Sequence, residues 1–441
     1  MNKAIAIRRE DKNEWERRTP LTPAEVKALK REFGLRIIVQ PSKIRVFSDE
    51  EYLKAGAEIS EDLSPADIVI AIKEIPERLF LPGKTYVFFS HTIKGQPHNM
   101  SMLRRMMALG CHLIDYERVM NEQNQRLIFF GKYAGLAGMV ETLHALGQKL
   151  KLQGFATPLA RIKQAYQYPT VEAAKTEIAS VGHEIDAQGL PPELAPLVVG
   201  FAGYGNVSQG AQEIFDLLPH KVVSPAMLTE MMENFGSDTL NFYKVVFKEE
   251  DMVKPKAGAF TLQDYYDHPE KYESRFSDYL PHLQALVNCI YWTERYPRLV
   301  TKAWLRNASA LASALNLRVI GDISCDIDGS VEITHQATKP DHACFTYIPA
   351  ADRYQDGIQR EGVTVMAVDN LPCEFPRESS SAFADVLKRF IPEIAACDFG
   401  RDFASLKLPY PIQKALILHR GRLTPDYQYM DAFVRLAKEE S

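Results

Sequence analysis

Charge of one sign and long hydrophobic runs are both missing from the 441-residue sequence. The chain carries 52 Lys and Arg against 57 Asp and Glu, a formal net charge of −5, so no basic footprint indicates nucleic acid or an anionic membrane. No apolar run approaches the ~20 residues that a membrane span needs. The first residues enter an extended apolar pattern and do not read as a signal or transit peptide. We therefore expect a cytoplasmic protein with small-molecule partners.

Cysteine is also sparse. The six cysteines are widely scattered, with no Cys-x-x-Cys pair and no paired histidine spacing, so we expect neither a disulfide framework nor a metal site. We interpret them as reduced core thiols and leave open a role for one of them near a functional site. The apolar fraction of 46% and the charged fraction of 25% are typical of a globular protein, and the length indicates two domains.

Strand-like and helix-like segments alternate along the chain, which predicts an α/β protein with parallel sheets covered on both faces. A long helical pattern over 134–150 is typical of a segment bridging two domains, and it places a boundary near residue 135. The predicted strands are 3–9, 35–40, 67–73, 85–90, 111–115, 125–131, 196–203, 241–247, 286–292, 317–323 and 363–369. The main predicted helices are 22–33, 49–55, 97–109, 134–150 and 379–394.

A glycine-rich loop follows one of these strands and opens a helix. In Gly203-Tyr204-Gly205-Asn206-Val207-Ser208, the first glycine permits a tight turn and the second lets the backbone approach a pyrophosphate at the helix N-terminus. We assign dinucleotide contacts to Gly203, Gly205, Asn206 and Val207. The alternative, a tight strand-to-helix turn without a ligand, stays open.

The residues about twenty positions beyond this loop bear on the choice of dinucleotide. An NAD enzyme usually has an acid there that binds the ribose 2′-hydroxyl, whereas this sequence has Ser224, with His220 and Lys221 close by. Serine in place of the acid removes repulsion toward a 2′-phosphate. The sequence therefore favours NADP(H), with Ser224 as a cofactor residue.

Charged residues follow three predicted strands of the first region, in Arg8-Arg9-Glu10, Lys73-Glu74 and the stretch 90–94. Because ligands bind beyond the carboxyl ends of parallel strands, these residues could face one cleft. A partly desolvated lysine and a histidine can exchange protons near neutral pH, so Lys73 and His91 are candidate acid-base groups. A solvated turn at Lys73 and a structural role for His91 remain alternatives.

Several motifs carry a resemblance to a known family. The stretches 8–11 (RRED) and 14–23 (EWERRTPLTP) resemble the N-terminal signature shared by alanine dehydrogenases, transhydrogenase subunits and lysine-forming saccharopine dehydrogenases. Other motifs resemble the lysine-ketoglutarate reductase portion of bifunctional aminoadipic semialdehyde synthase. They are FSHTIKGQ (89–96), LIDYE (113–117), FGKYAGLAG (130–138), NCIYW (288–292), DISCDIDGSVE (322–332) and DNLP (369–372).

The resemblance implies NADPH-dependent reductive condensation of L-lysine with 2-oxoglutarate to saccharopine, a reaction of lysine degradation. Lys73 and His91 would be the acid-base pair, with Glu74 and Glu117 tuning their charge. Guanidinium groups bind carboxylates in bidentate fashion, and the resemblance makes Arg18 and Arg126 substrate-carboxylate ligands. Lys94 would assist in the same cleft, and Asp369 would line the dinucleotide side.

The family's fold implies two Rossmann-like domains that enclose an interdomain cleft. A substrate domain would comprise 1–135 and 371–441, and a dinucleotide domain 136–370. The resemblance ends near Tyr429, so we expect a free-standing reductase or one half made separately, coupled to a separate saccharopine-oxidising dehydrogenase. The segment 231–279 is longer than in monofunctional fungal enzymes and has no assigned role.

Three functions remain at this point. The first is NADPH-dependent saccharopine formation, and the second is NAD-dependent oxidation of saccharopine to lysine. The third is a catalytically silent dinucleotide or amino-acid sensor, against which the intact Lys73, His91 and Arg18 argue. Assembly into a homo-oligomer is left open.

Overall fold

The chain divides into two compact units, and the first is built from both ends of the sequence. A computed structural model describes residues 4–228, 238–311 and 315–436. Unit 1 comprises Met1–Phe130 and Pro376–Ser441, and unit 2 comprises Gly131–Phe375. These divisions lie five residues from the predicted boundaries at 135 and 371.

The first part of unit 1 alternates strands with helices. Its strands are β1 (Ala4–Ile7), β2 (Arg36–Val39), β3 (Glu58–Ile59), β4 (Ile68–Ile70), β5 (Thr85–Phe88) and β6 (His112–Asp115). Its α-helices are α1 (Pro23–Phe33), α2 (Asp49–Lys54) and α3 (Pro97–Ala108). Helix α1 begins at a proline, whose fixed φ suits a first turn, and ends at Gly34, where φ is +64°.

Unit 2 repeats the alternation. Its strands are β7 (Leu197–Ala202), β8 (His220–Val223), β9 (Phe242–Phe247), β10 (Val253–Pro255), β11 (Tyr272–Ser274), β12 (Ala285–Asn288), β13 (Val319–Asp322), β14 (Cys344–Ile348), β15 (Arg353–Asp356) and β16 (Val363–Met366). Its described α-helices include α4 (Gly131–Leu152), α5 (Val171–Gln188), α6 (Asn206–Phe215), α7 (Glu249–Met252), α8 (Leu262–Asp267) and α9 (Lys302–Ala310).

The chain then returns to unit 1 and completes its sheet. The returning elements are α10 (Pro376–Leu387), α11 (Ile391–Ala396), α12 (Tyr410–Ala415), β17 (Leu416–His419), β18 (Arg422–Leu423) and α13 (Asp431–Leu436). Within the described residues the strand order of this sheet is β18-β17-β6-β5-β4-β1-β2-β3. Strands β1 to β6 pair in parallel, and only the two returning strands add antiparallel pairs.

The main sheet of unit 2 has the order β15-β14-β16-β13-β12-β7-β9-β8 among the described residues. The pairs from β16 to β8 are parallel, and β14 is antiparallel to both of its neighbours. The predicted α/β class with two mostly parallel sheets is therefore confirmed. No helix of the described ranges is both long and apolar enough to cross a membrane.

Several sequence predictions were wrong in detail. The predicted strand at 125–131 is a loop with one isolated bridge, Met120 to Arg126, and the residues after it already form α4. That helix lies entirely in unit 2 and does not bridge the units. The predicted helix at 379–394 is two helices, α10 and α11. In the predicted capping box, Thr22 donates its hydroxyl to the Glu25 carboxylate and caps no backbone amide.

Candidate active site

Four neighbouring strands of unit 1 bring the predicted catalytic residues to one edge of its sheet. The order β6-β5-β4-β1 is parallel throughout, so the carboxyl ends of these strands lie side by side. Lys73 and Glu74 follow β4, His91 follows β5, and Glu117 follows β6. The pairing continues past β4, where Phe89 N–H donates to the Ile72 carbonyl at 3.0 Å. Adjacent positions in the sheet therefore hold residues distant in sequence.

Lys73 is held at its strand end by a buried carboxylate. The two oxygens of Glu10 accept the backbone N–H groups of Ile72 at 2.6 Å and of Lys73 at 3.0 Å. Burial raises the pKa of Glu10 to about 7, and the nearby Glu16 adds to that rise. Burial lowers the pKa of Lys73, and the charge of Arg18 lowers it further. The ammonium group of Lys73 therefore loses its proton more readily than that of a free lysine.

Glu74 and His91 form a hydrogen-bonded pair. His91 Nδ1 lies 2.6 Å from Glu74 Oε1, and Lys12 Nζ lies 3.1 Å from Glu74 Oε2. Burial alone would raise the pKa of Glu74, but His91 and Lys12 outweigh it and lower this pKa to about 2. His91 also has a φ of +48°, a left-handed conformation that is costly for a residue with a Cβ. The chain thus fixes this imidazole beside a permanent carboxylate.

A second buried carboxylate organises the end of β6. Asp115 accepts the Ser90 backbone N–H at 3.2 Å and the Glu117 backbone N–H at 2.8 Å. Burial raises the pKa of Asp115 to about 6, and the charges of Glu117 and His91 also act on it. Glu117 is therefore placed near His91, although the sequence analysis gave no role to Asp115.

Both predicted guanidinium ligands lie against one aromatic cluster. Arg18 is buried and pairs with both oxygens of Glu16, at 2.7 Å from Nε and 2.5 Å from a terminal nitrogen. Its guanidinium lies 4.3 Å from the Phe130 ring centre, and that of Arg126 lies 6.0 Å from the Phe89 ring centre. The two rings are 6.2 Å apart, and Phe89 stacks on His91 at 6.2 Å. The structure thus brings both arginines toward His91.

Two predicted residues are not tied into this cluster. Lys94 is exposed three positions beyond His91, and within the described ranges no ion pair or hydrogen bond joins its ammonium group to Glu74 or His91. Asp369 is exposed beyond β16 in unit 2, where its charge raises the pKa of Cys325 after burial and Asp322 have done so. Their predicted roles in binding substrate and dinucleotide stay predictions.

The glycine-rich loop of unit 2 has the geometry of a pyrophosphate cradle. Gly203 has a φ of +92°, which favours glycine. A Cβ at Gly205 would meet nothing within 4 Å, and Gly205 is the N-cap of α6, which begins at Asn206 and continues through Val207. The second glycine therefore leaves open space over the first amides of a ten-residue helix, where a phosphate would be stabilised. These features fit a dinucleotide.

Close helix packing beneath this loop depends on a glycine pair that the motif analysis did not single out. A Cβ at Gly210 would lie 2.2 Å from the Lys132 carbonyl oxygen, and one at Gly135 would lie 1.9 Å from the Val207 carbonyl oxygen. Ser208 is buried and accepts a hydrogen bond from Gln212 Nε2 at 2.9 Å. Helices α4 and α6 can approach this closely because both glycines lack side chains.

The sheet order corrects the premise behind Ser224. The sequence analysis assumed that the strand after α6 pairs with β7, but β9 pairs with β7 and β8 lies outside it. Ser224 follows β8 and is therefore two strands away from the glycine-rich loop. Lys221 is engaged with Asp238 at 2.6 Å. In this sheet, the strand end beside the loop is that of β9.

Solved structures and a family model define the class of protein first. An alanine dehydrogenase matches with a TM-score of 0.61 at 16% identity, over 98% of this chain and 99% of that one. A transhydrogenase from Sinorhizobium meliloti matches with a TM-score of 0.56 at 15% identity, over 96% of this chain and all of that one. The alanine dehydrogenase/PNT N-terminal domain family matches residues 6–137. The fold is thus of the alanine dehydrogenase and transhydrogenase type.

Curated relatives confirm the narrower resemblance. The alpha-aminoadipic semialdehyde synthase of Arabidopsis thaliana is 40% identical over 457 residues, covering all of this chain and 42% of the relative. The mitochondrial alpha-aminoadipic semialdehyde synthase of Bos taurus is 35% identical over 97% of this chain and 47% of the relative. The chain therefore spans less than half the length of these relatives.

Proposed function

We propose that this chain catalyses the NADPH-dependent reductive condensation of L-lysine with 2-oxoglutarate to saccharopine. The observation that carries the proposal is the strand-end cluster of unit 1. There Lys73, with its lowered pKa, lies beside the His91–Glu74 pair on adjacent strands. The similarity to alpha-aminoadipic semialdehyde synthases over the whole chain supports the choice of substrates.

The proton-transfer groups suit the steps of this condensation. Lys73 would accept a proton from the ε-ammonium of the substrate lysine, because its own pKa is lowered and its amine is available as a base. The freed nitrogen would attack the keto carbon of 2-oxoglutarate and form a carbinolamine. His91, which Glu74 orients through Nδ1, would donate a proton to the departing hydroxyl, giving the imine and water.

Binding of the substrate carboxylates would fall to the cationic side chains near this cluster. Arg18 would act from a fixed position, since its pair with Glu16 and its packing on Phe130 hold the guanidinium. Arg126 is exposed and lies over Phe89, so it is open to a second carboxylate. Lys94, also exposed, would add a more distant positive charge.

The dinucleotide roles fall to unit 2. The chemistry supplied by bound NADPH is hydride transfer to the imine carbon. Gly203 and Gly205 would admit the pyrophosphate, and the amides of Asn206 and Val207 would bind it at the start of α6. Asp369 would line the same side, since it lies near Cys325 beyond β13.

The deciding experiment follows the absorbance loss of NADPH with lysine and 2-oxoglutarate together. We expect turnover only with both substrates present, and loss of turnover when ornithine replaces lysine or pyruvate replaces 2-oxoglutarate. His91→Gln should lower turnover by roughly 10²-fold or more, because it removes proton transfer, while leaving NADPH binding within a few-fold. NADPH binding without any turnover of these substrates would favour a sensor.

A second candidate is NAD-dependent oxidation of saccharopine. The saccharopine dehydrogenase [NAD(+), L-lysine-forming] of Neurospora crassa is 26% identical over 392 residues, and the match covers 86% of this chain and 88% of that protein. Its length thus agrees better with this chain than that of the semialdehyde synthases. A clear preference for NADH over NADPH in the same assay would favour this candidate.

The product of the proposed reaction must be consumed elsewhere. We propose functional coupling to a separate saccharopine-oxidising dehydrogenase, which supplies the further activity that the longer relatives would need. Co-purification or stimulated flux with such an enzyme would test the coupling, and light scattering would test assembly into a homo-oligomer. A cytoplasmic location remains a prediction, and the names of the animal relatives carry the word mitochondrial.

A further inference from the structure

We propose that Lys248, at the end of β9, binds the 2′-phosphate of NADP(H) and that Tyr266 holds the neighbouring Glu249 away from it. The inference deepens the proposed function, on which it rests only for the use of a dinucleotide. It names the residues that select NADPH over NADH. It also gives a role to part of the long segment 231–279, of which residues 231–237 lie outside the described residues.

The position of Lys248 follows from the sheet register. Strand β9 pairs with β7 over its whole length, with Leu197 opposite Phe242 and Ala202 opposite Phe247. The pairing continues into the loop, where Gly203 N–H donates to the Phe247 carbonyl at 3.0 Å. Lys248 therefore begins the chain beyond β9 at the level of the first loop glycine. In dinucleotide-binding sheets, the end of the strand beside the glycine-rich strand faces the adenosine ribose.

Lys248 presents a positive charge at this position. Its backbone N–H donates to Asp251 Oδ2 at 2.9 Å, which starts α7, and its side chain is exposed. Among the described residues, the Lys248 ammonium takes part in no ion pair. A compact ammonium with three donors is well suited to a phosphate dianion.

The next residue is the carboxylate that could instead bind a ribose hydroxyl. Glu249 Oε1 accepts a hydrogen bond from Tyr266 Oη at 2.8 Å, and the charge of Glu249 raises the pKa of Tyr204 in the glycine-rich loop. The carboxylate therefore lies beside the loop, but α8 engages one of its oxygens. We infer that Tyr266 keeps Glu249 from competing with a 2′-phosphate for this space.

Lys221 is the matched alternative, because the sequence analysis placed ribose recognition near it. It lies on β8, which β9 separates from β7, and its ammonium already pairs with Asp238 at 2.6 Å. Replacing either lysine by alanine removes one positive charge from an exposed side chain. A comparison of the two variants therefore separates position from net charge.

The test measures binding by isothermal titration of the full chain, without lysine or 2-oxoglutarate. The four ligands are NADPH, NADH, adenosine 2′,5′-bisphosphate and 5′-AMP. Lys248→Ala should weaken binding of the two 2′-phosphorylated ligands by about tenfold or more, the loss expected for a charge-assisted hydrogen bond. It should leave NADH and 5′-AMP within about twofold, as an exposed charge distant from them would.

Three further variants complete the design. Lys248→Arg should keep the preference for 2′-phosphorylated ligands, and Lys221→Ala should leave all four affinities unchanged. Tyr266→Phe should weaken NADPH more than NADH, because it releases the Glu249 carboxylate toward the phosphate. Equal losses for NADPH and NADH in Lys248→Ala, a selective loss in Lys221→Ala, or a wild-type preference for NADH would each overturn the proposal. Selective NADPH binding without turnover of lysine and 2-oxoglutarate would instead reject only the proposed reaction.

Discussion

The two units use the same kind of strand end in opposite ways. In unit 1, the ends of β4, β5 and β6 carry ionisable side chains held by buried carboxylates, such as Lys73 beside Glu10 and His91 on Glu74. In unit 2, the end of β7 carries glycines, and Gly205 leaves empty space where a side chain would be. Proton transfer needs side chains at fixed positions with shifted pKa values, whereas pyrophosphate binding needs exposed backbone amides.

The largest effect should come from removing the central ionisable group of unit 1. We expect Lys73→Met to lower turnover by roughly 10² to 10⁴-fold, because it removes general acid-base catalysis, while NADPH affinity stays within a few-fold. Steady-state kinetics and dinucleotide titration check the two halves of this statement. Lys54→Met, at an exposed lysine paired with Glu50, is the control. Near-normal turnover in Lys73→Met would remove Lys73 from the proposed mechanism.

The converse change fills the empty space of unit 2. Gly205→Val should weaken NADPH binding by roughly 10 to 100-fold through steric exclusion, with little change in thermal stability, because a Cβ there meets no protein atom within 4 Å. Gly205→Ala should lie between the wild type and the valine variant. Unchanged affinity in a folded valine variant would show that the dinucleotide does not use this loop.

A third comparison uses two buried glutamates, one in each unit, whose pKa values are both raised to about 7 by burial. Glu10 accepts a backbone amide on each oxygen, so Glu10→Gln should lose an acceptor and destabilise the protein by about 1 to 3 kcal/mol. Glu141 accepts the Ala165 amide on one oxygen at 2.5 Å and lies next to the buried Glu374. Glu141→Gln should therefore stabilise the protein above neutral pH.

The sign of the pH dependence follows from the raised values. A carboxyl with a folded-state pKa of about 7, against an ordinary value of 4.5, stabilises the protein fully below pH 4.5 and loses this contribution as the pH rises through 7. The thermal midpoint should thus fall between pH 5 and pH 8 (roughly the span of these values), and less steeply in Glu141→Gln. The same slope in wild type and variant would contradict the assignment.

The smallest effect should come from Lys94. Because its side chain is exposed and apart from the Glu74–His91 pair, Lys94→Ala should raise KM for 2-oxoglutarate by no more than about fivefold, the range of a surface charge interaction. Its kcat should not change. A loss of kcat comparable to that of His91→Gln would mean that Lys94 acts on the reacting atoms and that the cluster extends further than the structure indicates.

Local patterns allowed much of this structure to be predicted. Helix α1 could be located from Pro23 and Gly34, and β4, β5 and β7 from short apolar runs with a charged or glycine end. The predicted strand at 125–131 failed because apolar residues at the start of a buried helix read like a strand. The predictions of Lys73, Glu74 and His91 named residues that do lie together, but Glu10 and Asp115 were missed, because a carboxylate that accepts backbone amides has no spacing signature.

The order of strands shows most clearly what only the tertiary structure decided. The sequence by itself determined that strands alternate with helices, that a glycine-rich turn follows β7, and that Lys73 and His91 end two strands. It did not determine that β9, and not β8, lies beside β7, which moves ribose recognition from Ser224 to Lys248 in our proposal. Strand order depends on long-range hydrogen bonding and on packing of whole elements, and neither leaves a local trace in the chain.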